Sequence, residues 1–168
     1  MRRIETARLI LRPLTPADAA DVFEWVGDPL VNRYMPYALY TSVAEAEAWI
    51  RRIEPEDCEF GFELAATGKV IGAGSIGYNP DWDAYDLGYN LNRAYWGHGY
   101  ATEAARALIQ WAYAELGARD FAASHATANA ASGNVIRKCG FQFERYGEYA
   151  RYDGSEVFPA TFYRMRLE

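Results

Sequence analysis

Tyr95-Trp96-Gly97-His98-Gly99-Tyr100-Ala101-Thr102-Glu103-Ala104 follows directly on the strand-like run Asp86-Leu87-Gly88-Tyr89-Asn90-Leu91 and opens a helical period. From Ala101 onward, Ala104, Ala105, Leu108, Ile109, Ala112 and Leu116 recur on one apolar stripe, closed by Gly117. Two glycines therefore stand at a strand–turn–helix junction. Glycine lets the backbone turn tightly and approach a ligand closely, and the unpaired N–H groups of a first helical turn, with the helix dipole, favour a phosphate or pyrophosphate. By itself the junction is either an anion cradle without a charged side chain or simply a tight turn.

Working outward, Ala7 to Leu14 reads as a first strand. Thr15-Pro16-Ala17-Asp18 then supplies an N-cap, an N1 proline and an early carboxylate for a helix through Val26. Ser42-Val43-Ala44-Glu45 is a capping box, and Val43, Ala46, Trp49, Ile50 and Ile53 follow at helical spacing. Between Phe60 and Asn90 the pattern changes to strands, with a turn at Thr67-Gly68-Lys69 and a break at Asn79-Pro80-Asp81 before a third strand near Tyr85 to Leu91. Beyond the long helix come a short strand at Asp120 to His125, a helix from Ala130 to Cys139 capped by Gly140, and strands near Phe141 to Tyr149 and Phe158 to Leu167. The order βααβββαβαββ predicts a single α/β (α+β) domain over residues 1–168. Its sheet is mixed and mostly antiparallel, with helices on its faces and ligands at the central strand–turn–helix.

Composition narrows the function. With 51% hydrophobic residues in a chain of 168, there is material for one core and not for disorder. A net charge of -6 argues against a duplex nucleic acid partner, which needs clustered Lys and Arg, and suits a cationic small molecule or peptide amine. Met1-Arg2-Arg3-Ile4-Glu5 leads into no apolar h-region and no run spans a bilayer, so a cytoplasmic protein without membrane association is expected. Cys58 and Cys139 lack ligand spacing, which predicts two reduced thiols and no metal. Gly-x-x-x-x-Gly-Lys-[Ser/Thr] is absent, and so are Gly-x-Ser-x-Gly and a recognisable Ser/His/Asp set, which disfavours a P-loop protein and a covalent acyl-enzyme.

Trp96-Gly97-His98-Gly99-Tyr100-Ala101 is similar to the Gln/Arg-x-x-Gly-x-Gly/Ala pattern of the GNAT superfamily of N-acetyltransferases, with Gly99 and Ala101 at the two small positions. Trp96 in place of Gln or Arg looks like the RimJ/RimL branch, which includes acetyltransferases of ribosomal-protein N-termini. Asn129-Ala130-Ala131-Ser132-Gly133-Asn134-Val135-Ile136-Arg137-Lys138-Cys139-Gly140-Phe141 resembles that branch's Asn-x-x-Ser-x-x-Val-x-x-Lys-x-Gly-Phe. The opening Glu5 to Leu14 and the hairpin Gly68-Lys69-Val70-Ile71-Gly72 extend the likeness over essentially the whole chain. Leu30 to Tyr40 and the segment from Tyr146 onward, which help form the family's acceptor site, match least.

The resemblance implies an enzyme, an acetyl-CoA-dependent N-acetyltransferase. Its amine acceptor is a protein or peptide N-terminus or a small molecule, and the enzyme works as a monomer or homodimer. Backbone groups of Leu91 and of Gly97, His98, Gly99, Tyr100, Ala101 and Thr102 would contact pantetheine and pyrophosphate. Asn129 would bond the pantetheine arm, and Lys138 completes the cofactor set. Each has a plainer rival: Asn129 as N-cap, Lys138 as last-turn cation, Ser132 as first-turn polar residue. For catalysis the branch's serine places Ser132 at the departing sulfur, where many relatives have a tyrosine at the position of Ile136. Asp86, where the family often has an acidic residue, would take the amine's proton through a water, or is only a surface carboxylate beside Asp81 and Asp83. His125 is a reserve base, Glu103 a helix-dipole partner, and N–H groups near Leu91 an oxyanion site where the sheet splays. Trp25, Tyr34, Tyr37, Tyr40, Trp82, Tyr146, Tyr149 and Tyr152 serve packing or an aromatic acceptor pocket. A catalytically silent CoA-binding or regulatory module on the same fold is the competing reading.

Overall fold

The structure, a computed structural model, describes residues 2–168. Eight strands form one sheet in the order β1-β2-β3-β4-β5-β6-β8-β7. They are β1 (Ile4–Glu5), β2 (Leu9–Arg12), β3 (Glu59–Leu64), β4 (Val70–Asn79), β5 (Ala84–Leu91), β6 (Asp120–Ala126), β7 (Gln142–Ala150) and β8 (Val157–Arg166). The helices are α1 (Ala19–Val26), α2 (Val43–Ile53), α3 (Tyr100–Glu115) and α4 (Ala130–Lys138). All neighbouring strands are antiparallel except β5 and β6, so the mixed, mostly antiparallel α/β sheet expected from the sequence is what forms.

The expected first strand, Ala7 to Leu14, is corrected. It is confined to Leu9–Arg12, and a separate two-residue β1 pairs with it, making eight strands rather than seven. Thr6 causes the break: its N–H donates to the Leu9 carbonyl and its hydroxyl oxygen accepts the Leu9 N–H, closing a tight turn between the two strands.

Helices α1 and α2 cover one face through Val22, Trp25, Ala46 and Ile50, packed on Val70 and Ala73. Helices α3 and α4 cover the other through Ala105, Leu108, Ala112 and Ile136, packed on Phe60, Phe62, Leu87, Leu91 and Phe121. Glycine sets how closely α3 can lie: a Cβ at Gly74 would stand 3.2 Å from Leu108 Cδ1 and 2.7 Å from Phe62 Cζ. Trp25 belongs to the first core, 1% exposed, so it is removed from the candidate acceptor aromatics.

Candidate active site

The parallel pair β5–β6 is joined only at Tyr85↔Phe121 and Asp86↔Ala122; beyond these the strands part. The gap opens toward their C-terminal ends, where α3 and α4 begin, the edge at which open α/β sheets receive ligands. Register decides what lines it. Asn92 N–H bonds the Ile71 carbonyl at 2.7 Å, which makes the even-numbered residues of β5 the ones that bond β4. Tyr89 and Leu91 therefore turn their backbone groups into the gap. The Leu91 carbonyl there accepts the Trp96 indole N–H at 2.9 Å, which ties the glycine loop to the strand end.

Gly97 and Gly99 both have φ of +79°, the left-handed region, and Gly99 caps α3. Nothing lies within 4 Å of a Cβ built on Gly97. The N–H groups of Tyr100, Ala101 and Thr102 form the first turn and point out of the helix end without intrahelical acceptors. An open backbone and outward N–H groups fit a pyrophosphate. His98 is exposed.

The loop is held by Arg8 and Thr6, to which the sequence reading gave no role, together with Glu103. The Arg8 guanidinium donates to the His98 carbonyl at 2.8 Å and to Glu103 Oε2 at 2.7 Å, and lies 4.2 Å from the Tyr100 ring centroid. Glu103 Oε1 accepts from the Thr6 hydroxyl at 2.6 Å and the Arg8 N–H at 2.8 Å. These bonds hold the Glu103 carboxyl below its usual range against the opposing effect of burial. Glu103 is thus the clamp between β2 and α3 as well as a first-turn anion. Partners 95 residues apart in sequence leave no local signal.

Across the gap, Ser132 sits in the first turn of α4. Its N–H donates to Asn129 Oδ1 at 3.4 Å, so Asn129 is the N-cap. Ser132 Oγ is 2.9 Å from the Tyr89 hydroxyl, which also donates to the Ser132 carbonyl at 3.1 Å. Burial pushes the Tyr89 hydroxyl up to about 12, with the bond to Ser132 opposing the rise, so it stays protonated. Tyr89 is the second residue missed. Alternation along β5 could have marked it, because it shares a face with Leu87 and Leu91 and so meets α4. Lys138 is exposed at the far end of α4, where its carbonyl takes Arg106 of α3 at 2.7 Å. Nine residues of α4 set it about 12 Å along the axis from Ala130 at ~1.5 Å per residue, away from the glycine loop.

His125 is not available as a base. It is 8% exposed, with Nδ1 2.6 Å from the Ala126 carbonyl and Nε2 3.0 Å from the Tyr163 hydroxyl, and burial lowers its pKa. Gly133 makes room for it, since a Cβ there would stand 2.8 Å from Nε2.

Asp86 lies on the opposite face from Ser132, in the row Gly77↔Asp86↔Ala122 at the closed end of the gap. Burial pushes its carboxyl up to about 6, and a hydrogen bond with Asn79 opposes the rise. This face has an open stretch beyond the α1–α2 cover, where Ser75, Gly77, Asp86, Gly88 and Asn90 are half-buried. Its wall is the 33–40 segment, pinned by the end of the β7–β8 hairpin. Arg151 donates to the carbonyls of Met35 (2.9 Å) and Arg33 (3.0 Å), and Tyr152 N–H to that of Pro36 (2.8 Å). The two segments that match the family least are thus brought together. Tyr37 hydroxyl accepts from Asn90 at 3.1 Å and the Tyr37 ring lies tilted against Tyr40, centroids 6.4 Å apart, so these line the stretch. Tyr149 and Tyr34 serve the wall itself, the Tyr149 hydroxyl donating to the Tyr34 carbonyl. Trp82 packs on Phe162 and Tyr146 on Phe143 instead. Both cysteines are free, and among the described residues no helix is long and apolar enough to cross a membrane.

Known proteins share this sequence pattern and this fold. Residues 8–142 match the family described as acetyltransferase (GNAT) domain. An uncharacterized N-acetyltransferase, p20, of Bacillus licheniformis is 30% identical over 152 residues, covering 86% of this chain and 84% of the relative. An acetyltransferase (GNAT family) structure from Bacillus anthracis superposes with a TM-score of 0.88 at 22% identity over 98% of both chains. A spermidine N-acetyltransferase from Vibrio cholerae, solved with CoA and spermine, gives 0.77 at 17% identity over 96% of both. With its model covering most of the sequence, the chain belongs to the GNAT family of acetyltransferases, enzymes that draw their acetyl group from acetyl-CoA.

Proposed function

We propose that this chain transfers an acetyl group directly to a primary amine within a ternary complex, along the RimJ/RimL-like branch of the family. The observation that carries the reading is the parting of β5 from β6 between two differently equipped faces. One face offers the glycine loop and the Tyr89–Ser132 hydroxyl pair; the other offers Asp86 and the tyrosine-walled stretch. Acetyl-CoA supplies an activated acyl group as a thioester, whose sulfur leaves as thiolate when nitrogen bonds the carbonyl carbon. The first-turn N–H groups of α3 hold the pyrophosphate, Asn129 borders the pantetheine, and the Leu91 and Tyr89 backbone groups face the thioester in the gap. A Leu91 or Tyr89 N–H there stabilises the negative charge developing on the carbonyl oxygen. The hydroxyls at the gap, Ser132 and Tyr89, bond each other, and among the described residues neither has a carboxylate or histidine within hydrogen-bonding distance to activate it, which favours direct attack over an acyl-enzyme.

The acceptor, a small amine or a peptide N-terminus, comes from the Asp86 face. Incubation with acetyl-CoA and a panel of amines, peptide N-termini and polyamines should release free CoA thiol with at least one of them. Acetyl-CoA binding without release on any acceptor would favour the silent-module reading.

Asp86 gives the reaction its expected pH dependence. An amine with a pKa near ~10.4 is mostly protonated at pH 7, so a proton must leave before attack. Asp86, two residues from Gly88 along the strand, takes it through a water once ionised. The rate therefore rises with pH through about 6, the value to which burial raises this carboxyl. Asp86→Asn is expected to lower the rate at pH 7 by roughly 10- to 100-fold, at the low end of general-base effects, and to move the rising limb upward toward the amine's own pKa. A pH–rate profile with the limb unmoved would assign the proton to a backbone-held water instead.

A further inference from the structure

The open stretch contains a second carboxylate that the reaction as described does not use. Glu59 stands in the row Glu59↔Ser75↔Gly88, on the same face as Asp86 and opposite the buried Phe60. Between the two carboxylates the floor is Ser75, Gly77 and Gly88. A Cβ at Gly77 or Gly88 would meet only ordinary or slightly tight contacts, 3.4 Å to Cys58 and 3.3 Å to Ser75 Oγ, so backbone packing does not demand glycine at either position. Glycine inside a strand otherwise weakens it and marks a place where a ligand comes close. With strands about 4.8 Å apart and ~3.4 Å rise per residue, the Cα atoms of Glu59 and Asp86 are separated by about 12 Å.

Among the described residues no cation lies within 4 Å of the Glu59 carboxylate, and no donor is within hydrogen-bonding distance of it. The charges around it are Glu56, which repels, and Arg2. The Arg2 guanidinium is turned to the Glu56 carbonyl at 2.8 Å and lies over the Phe60 ring. Burial, reinforced by Glu56, pushes the Glu59 carboxyl up to about 7, whereas Arg2 pulls it back only in part. A half-buried carboxylate without a partner is costly as an anion and is relieved by a cation supplied from outside. The Glu59 charge acts on the Tyr37 hydroxyl, whose ring lies against Tyr40, and aromatic faces attract ammonium groups.

We propose that Glu59 is a specificity-determining residue that binds a second cationic group on the acceptor, so that the preferred substrates are short diamines and related dicationic amines. The assignment rests on the acetyltransferase reading and deepens it. One nitrogen is held as ammonium at Glu59 while the other, neutral, lies over Gly88 at the gap, with Asp86 beyond it. The tethered 33–40 wall fixes the distance between the two positions.

The test compares 1,4-diaminobutane with butylamine, which keeps the chain and lacks the second charge. With saturating acetyl-CoA, kcat/KM is expected to favour the diamine by roughly 10- to 100-fold, the range that one hydrogen-bonded charge contributes. In Glu59→Gln that ratio should fall toward one, mainly through KM, with the acetyl-CoA-induced rise in Tm reporting intact folding. Glu56→Gln, at an exposed neighbour, should keep the ratio. No preference in the parent protein, or a preference untouched by Glu59→Gln, overturns the assignment. So does a preference that disappears on EDTA treatment, because Glu56, Cys58 and Glu59 offer donor atoms within 4.8 Å of one another and a divalent ion would then be the occupant. Calorimetric binding of 1,4-diaminobutane to the CoA-bound protein reads the same preference without turnover. Glu59-dependent binding with no acetylation of any amine would sink the transferase reading alone, and absent binding would sink this one.

Discussion

Gly99→Val is expected to abolish acetyl-CoA binding while leaving the domain folded. Gly99 has φ of +79° and caps α3, and a β-branched residue there meets a backbone conformation it rarely adopts. The chain relieves that strain by rotating the peptide between His98 and Gly99, whose carbonyl is the Arg8 acceptor, and by tilting the first-turn N–H groups away from the ligand. Space adds less: the Cβ itself makes an ordinary 3.5 Å contact with Arg8 Nη2, and only the two further methyl groups press on the guanidinium. Strain of this kind costs of order 1–3 kcal/mol, which a domain tolerates as a few degrees of Tm. Affinity is hit twice, through the strain and through misdirected donors, so a loss of more than about 100-fold is expected, at ~1.4 kcal/mol per tenfold. A ligand that binds only the native state raises Tm in proportion to ln(1 + [L]/Kd), so the parent protein should gain stability with acetyl-CoA and the variant should not. Gly97→Ala is the informative companion: with open space around its Cβ it tests the left-handed backbone alone and should weaken binding less. Undiminished calorimetric binding in Gly99→Val would remove the glycine loop as the pyrophosphate cradle.

What the sequence discloses and what it withholds divide along contact range. The α3 stripe from Ala104 to Ala112, the caps at Ser42 and Asn129, the turn at Gly68 and the helix ends at Gly117 and Gly140 are local signals that stand where periodicity and glycine chemistry put them, whereas Leu116, read as the stripe's last member, is the exposed C-cap of α3. The glycine loop was legible for the same reason: its function is written in consecutive residues. The gap is expected near Leu91 from the family resemblance and not from any local signal, because where β5 and β6 stop pairing depends on how β6 pairs with β8 along its whole length, and no pattern within either strand encodes that. Arg8 and Glu103, Tyr89 and Ser132, and the pinning of residues 33–36 by Arg151 are likewise bonds across dozens of residues. For His125 the structural reading holds over the reserve base, because Gly133, eight residues on, lets α4 fold onto the ring. Trp25 likewise takes the packing alternative: an aromatic on an amphipathic helix is core before it is pocket.

Ser132→Ala is expected to lower kcat by roughly 10- to 1000-fold, around or below the usual effect of losing one acid–base partner, with acetyl-CoA affinity little changed. The cap at Asn129 uses the Ser132 backbone N–H, which alanine keeps, so the helix start survives and the hydroxyl alone is removed. A CoA thiol with a pKa not far from ~8.5 makes a tolerable leaving thiolate, one that needs a hydrogen bond more than full protonation. A relay for it is open: turned from the Ser132 carbonyl, the Tyr89 hydroxyl can donate its proton to Ser132 Oγ, 2.9 Å away, freeing the serine proton for the sulfur. Tyr89→Phe should therefore also lower kcat, by about 10- to 100-fold, and the double variant should be little worse than Ser132→Ala, because groups that act as one unit are not additive. With burial pushing Tyr89 up to about 12, the tyrosine remains a donor throughout the working range. The falling limb of the pH–rate profile, if any appears below pH ~10, should be the same in Tyr89→Phe as in the parent protein. Additive losses would instead make the two hydroxyls independent, Tyr89 then holding α4 against β5 and Ser132 acting unaided. Retained kcat with weakened acetyl-CoA binding in Ser132→Ala would make the serine a cofactor contact and leave the thiolate to solvent.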